Sequence, residues 1–173
     1  MSLPQNLLDL SRSLLPSDNQ RGRPNTAALK RCISTAYYSV FSLVVHAGAT
    51  MLAGSGSDRK LLRGYVARDF EHGGMAEACK GFASGNLSMK LQPCLPVVSP
   101  SLKEFAKILL ELRQSRHEAD YNILQKPTKT EAGTAVDDAT RAFGLWQTIK
   151  GTAEERVFLL AVLMDDRLRR KGR

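Results

Sequence analysis

The chain has 173 residues, a formal net charge of +8, and 43% hydrophobic residues. A length of this order is one domain by default, and it buries enough surface to fold without a disulfide or a structural metal. The three cysteines, Cys32, Cys79 and Cys94, are far apart and show neither a CxxC nor a Cys/His ligand spacing, which predicts free thiols in a reducing compartment and no metal site.

The N-terminus, MSLPQNLLDLSRSLL, has no basic stretch followed by a long apolar run. The longest apolar run is taken as Val157 to Met164, too short to span a bilayer, so a soluble cytoplasmic protein with no membrane partner is expected. A first helix is predicted over Gln5–Leu15, ending before Pro16. The turn-rich stretch Pro16–Pro24 reads as a loop.

Asn25 or Thr26 then caps a second helix running to about Leu52. Its apolar positions are Leu29, Ile33, Ala36, Tyr37, Val40, Phe41, Val44, Ala47 and Met51, a stripe of about 27 residues or some 40 Å. AGSGS, Ala53 to Ser57, is a flexible turn, and Ser57 or Asp58 caps a third helix through Phe70. Gly73-Gly74 is expected to kink or break it, with helix resuming to about Phe82. Gly85 to Pro100, with Pro93, Pro96 and Pro100, forms the long loop.

A fourth helix covers Ser101 to about Gln125, ended by Lys126-Pro127. Its stripe is Leu102, Phe105, Ile108, Leu109, Leu112, Ala119 and Ile123. Thr128 or Thr130 opens a further helix to about Lys150, Gly151 stops it, and Thr152 caps a final helix over Ala153–Leu168 with Val157, Leu160, Ala161 and Met164 inward. No run of alternating polar and apolar residues demands a strand. The fold class is therefore all-α, an antiparallel helical bundle of about five to six helices. It forms one domain over residues 1–166, with a basic tail over 167–173. That tail, RLRRKGR, carries five of the eight net charges, leaving +3 elsewhere. Arg167, Arg169, Arg170 and Lys171 suit nucleic acid, and a solvated end is the equal alternative.

The stretch RQSRHEADY, Arg113 to Tyr121, concentrates polarity where it is costly. Arg116 and Asp120 project into the apolar stripe of the fourth helix, while Arg113 and His117 lie on its flank. Burying one such charge without a partner costs on the order of 3–5 kcal/mol. Arg116 and Asp120, four apart, are expected to form an ion pair, and Tyr121 is expected to be a core aromatic with a bonded hydroxyl. Tyr37 is read as core, Tyr38 as a neighbour of this cluster, and Trp146 as packing.

Two Arg-x-x-x-His pairs, Arg68/His72 and Arg113/His117, each share a predicted helix face. An imidazole moves protons near neutral pH, and an arginine fork holds a phosphate, so the two together suffice for RNA cleavage without metal. A plain surface pair is the alternative for each, and the stronger one for Arg68/His72. There is no Walker loop, no HExxH and no GxSxG. No cofactor is expected.

AYYSVFSLV (Ala36 to Val44), FEHGGM (Phe70 to Met75) and LRQSRHEADY (Leu112 to Tyr121) together resemble the HEPN superfamily, small all-α proteins of prokaryotic defence, toxin–antitoxin systems and RNA processing. The resemblance covers roughly residues 26–121. It implies a bundle of about five helices and a homodimer. It also implies a metal-independent endoribonuclease with Arg113 holding phosphate and His117 as general acid and base, supported by Arg116, Asp120 and Tyr121. Only Gln114, Ser115 and Arg116 separate that Arg from that His, a shorter interval than active members show. Other members of the superfamily are non-catalytic and pair with minimal nucleotidyltransferases or bind nucleotides. The expected partners are thus RNA, a second copy, and an antitoxin or nucleotidyltransferase. The rival function is a non-catalytic binding or interaction domain.

Overall fold

The computed structural model describes residues 2–16 and 25–164, and these are all-helical, with seven α-helices and no strand. The basic tail with Arg167, Arg169, Arg170 and Lys171, the loop residues 17–24 and the end of the expected final helix lie outside the described residues.

α1 (Leu3–Leu14) starts on a proline in its first turn, where the missing N–H costs nothing, and buries Leu8 and Ser11. α2 (Thr26–Ala53) begins where the Asn25 side chain accepts the N–H groups of Ala27 and Ala28, and ends at Gly54, whose φ of 82° suits only glycine. α2 is the helix on which α1, α3, α5, α6 and α7 all pack. By length and composition it is also apolar enough to cross a membrane, a property the sequence reading assigned to no segment.

A short 3₁₀ turn (Ser57–Arg59) leads into α3 (Lys60–Arg68), none of whose residues is buried. The chain breaks after Arg68, not at the glycine pair: α4 (His72–Ser84) carries Gly73 and Gly74 in its first turn. The missing Cβ of another glycine explains part of the break. Phe70, in the connection, lies so close to α2 that a Cβ on Gly48 would overlap its ring. α4 ends in a left-handed Gly85.

The proline-rich segment after it is loop and turn, with Leu91, Leu95 and Val98 buried beneath it. α5 (Pro100–Tyr121) is capped by Ser99, whose hydroxyl accepts the Leu102 N–H, and it ends at Tyr121 rather than Gln125. Ile123, expected in its stripe, is therefore off the helix and 90% exposed. α6 (Lys129–Ile149) opens with a reciprocal capping box between Thr128 and Glu131. Gly151, at φ 81°, turns the chain, and Thr152 caps α7 (Ala153–Leu163).

The face of α7 differs from expectation. Phe158, Leu159, Ala161 and Val162 are buried, whereas Leu160 and Met164 are exposed. Phe158 sets this rotation, because its ring meets Phe82, Phe105 and Trp146 edge-on at centroid distances of 5.1, 5.8 and 6.1 Å. This aromatic cluster joins α4, α5, α6 and α7.

Candidate functional site

Ser34, Tyr37, Tyr38 and Phe41 sit three or four apart on α2, and Arg113, Arg116, His117, Asp120 and Tyr121 do so on α5. The two helices pack against each other, and α4, which packs on α5, begins with His72 beside them. Three helices thus bring one polar cluster together.

Its inner part is built around Arg116, whose side chain is only 15% exposed. Nε lies 2.8 Å from Asp120 Oδ2, and Nη2 donates to Tyr38 Oη at 2.9 Å. The Nε–H does not point along the line to the carboxylate, so charge rather than an aligned hydrogen bond holds that contact. The other carboxylate oxygen of Asp120 accepts a hydrogen bond from the Ser34 hydroxyl. The guanidinium carbon is 5.4 Å from the Tyr38 and Tyr121 ring centroids and 5.9 Å from that of Tyr37. Burial opposes the charge of Arg116. Tyr38, Tyr121 and Asp120 outweigh it, and the group's pKa is raised.

His72 forms the second part. Its Nδ1 is 2.7 Å from Tyr37 Oη, and its ring lies 4.1 Å from that of Phe41. Burial, and then the positive charges of Arg116 and Arg113, depress its pKa below the ordinary 6.5. Tyr37 is pushed the other way, mainly by burial, and keeps its proton. The Tyr37 hydroxyl and Nδ1 of the His72 imidazole thus share a hydrogen bond whose direction is set by the tautomer of the ring.

Arg113 and His117 form the outer part, and both are exposed. The charge of Arg113 reaches His72 and Tyr37. His117 lies 5.0 Å, ring to ring, from Tyr121. No hydrogen bond or ion pair joins Arg113 to His117.

The Arg116–Asp120 ion pair and the core position of Tyr37 are as the sequence predicts. Tyr121 is not a core aromatic: it is 62% exposed, because it is the last residue of α5 and turns its ring to Arg116 and His117. Arg68 and His72 do not share a helix face, because the chain breaks between them; Arg68 instead lies over Tyr65. His72, a candidate in sequence only as half of that pair, has Tyr37 as its partner, and that contact is what sequence reasoning missed.

Among the described residues no three His, Cys, Asp or Glu side chains gather into a metal site. Comparisons with protein-family models, with curated proteins and with solved structures find no match for this chain.

Proposed function

We propose that this chain is an HEPN-like, RNA-directed protein of toxin or defence type, folded as an antiparallel helical bundle, and a metal-independent endoribonuclease. The observation that carries the reading is the exposure of both Arg113 and His117, four apart on α5, on the helix that also carries the half-buried Arg116 held by Asp120 and Tyr38. Positive charge and an imidazole reach solvent together there, with two tyrosines and a neutral His72 beside them.

In such a site the 2′-oxygen of a ribose attacks the adjacent phosphorus while its proton passes to the His117 imidazole. Arg113 balances the charge that gathers on the phosphorane oxygens. The bond from phosphorus to the 5′-oxygen breaks, and that oxygen takes a proton from solvent, leaving a 2′,3′-cyclic phosphate and a 5′-hydroxyl. The net charge of +8 and the basic residues Arg167 to Arg173 supply salt-sensitive attraction to RNA. The resemblance implies a homodimer, and the setting proposed is cytoplasmic, with an antitoxin or a nucleotidyltransferase as partner.

A second reading has its own observation. Arg116, Asp120, Tyr38 and Ser34 satisfy one another inside the chain, as a network that fixes packing in a non-catalytic binding domain would.

Labelled total RNA incubated with the purified protein in EDTA separates the two readings. The nuclease cleaves it, leaves cyclic phosphate ends, and loses roughly 10²–10⁴-fold in rate on His117→Ala. Folded protein that leaves the RNA intact, or cleavage unchanged by His117→Ala, moves the assignment to the binding domain.

A further inference from the structure

A separate cleft of about 420 Å³ lies between the C-terminal half of α2, the end of α6 and the start of α7. That volume falls within the usual range for small-molecule sites. Its floor is apolar: Leu43, Ala47 and Met51 recur along one side of α2 and meet Trp146 of α6. Its rim is basic. Lys150 and Arg156 line it, both exposed and neither in an ion pair among the described residues, and His46 adds an imidazole from α2. The one carboxylate in the lining, Glu155, accepts the Gly151 N–H at 2.5 Å and so serves the α6–α7 turn.

An apolar floor under two uncommitted cations selects a ligand with matching halves. We propose that this cleft binds a small amphipathic carboxylate, with its aliphatic or aromatic body on the α2–Trp146 floor and its head between Lys150 and Arg156. A guanidinium fork matches a carboxylate in shape as well as charge, and Leu43, Ala47, Met51 and Trp146 suit an apolar body, with the side chains of Thr50 and Gln147 also in the lining. The cleft uses none of the residues of the tyrosine–arginine site, so the inference stands apart from the ribonuclease reading.

Trp146 is the chain's only tryptophan, which makes its emission a direct report on the floor. The full chain is titrated with octanoate, with 1-octanol and with inorganic phosphate, followed by calorimetry and by Trp146 fluorescence. Octanoate is expected to bind saturably and to shift the emission, with octanol and phosphate each at least about tenfold weaker. The exposed double variant Lys150→Glu/Arg156→Glu, checked for native helix content, is expected to lose about tenfold or more in octanoate affinity. The proposal is overturned by the absence of saturable binding at millimolar octanoate, by octanol or phosphate binding as tightly, or by an unchanged affinity in the folded double variant.

Discussion

Arg113 and Arg116 differ by less than one helical turn yet occupy different environments, because α5 rotates one toward solvent and the other between Tyr38 and Asp120. Arg116→Ala strands Asp120 beside Ser34 and removes the hydrogen bond to Tyr38. It should cost about 1–3 kcal/mol in a denaturant melt. Arg113→Ala should stay within about 0.5 kcal/mol. Equal or reversed losses would contradict the inner and outer division of the site. His72 makes a second residue-level prediction through its depressed pKa. The unfolded chain takes up the His72 proton first as pH falls below about 6.5, while the folded chain resists it. The stability that His72 contributes is therefore present above that value and is lost as pH falls toward the lower folded pKa. Melts at pH 7.5 and pH 5.5 should show a smaller acid-induced loss in His72→Gln than in the parent. The same loss in both would mean that His72 is not held neutral by its surroundings.

Helix propensity and packing compete at Gly48. In an open helix Ala is favoured over Gly by roughly 1 kcal/mol. Here Gly48 faces the Phe70 ring, and a Cβ would occupy its space, so Gly48→Ala should instead destabilise by about 1–3 kcal/mol in a thermal melt. Phe70→Leu in the same chain should recover part of that. A stabilised Gly48→Ala protein would show that the ring yields freely. The helix ends were readable where a side chain or a glycine marks them: Gly151 and Thr152 stand where the sequence places them, and Asn25 and Thr128 are each one of the two caps it offers. The break at residues 69–71 was not, because no glycine or proline marks it and Phe70 is drawn to α2 by a tertiary contact. Neither was the face of α7, where a continuous apolar run lets several rotations bury equal area and Phe158 decides among them.

Across the whole molecule, the α5 half of the polar cluster was legible because charge inside an apolar stripe demands a partner, and Arg116 and Asp120 are each other's. The contribution of α4 was not, because His72 joins Tyr37 across 35 positions of sequence and no local periodicity carries that distance. The two tyrosines divide that work. Consecutive on α2, they diverge by about 100°, so Tyr37 serves His72 and Tyr38 serves Arg116. A different unit stands apart from this network. α3 leans on α2 and the preceding 3₁₀ turn and contributes no buried residue, with Leu61, Leu62 and Tyr65 facing outward. Among its side chains, Val66 packs partly against the core. Amide protons of residues 60–68 should therefore exchange through a local opening that leaves the rest intact, while those of α2 should wait for global unfolding; equal protection of the two helices in a hydrogen-exchange measurement would contradict this.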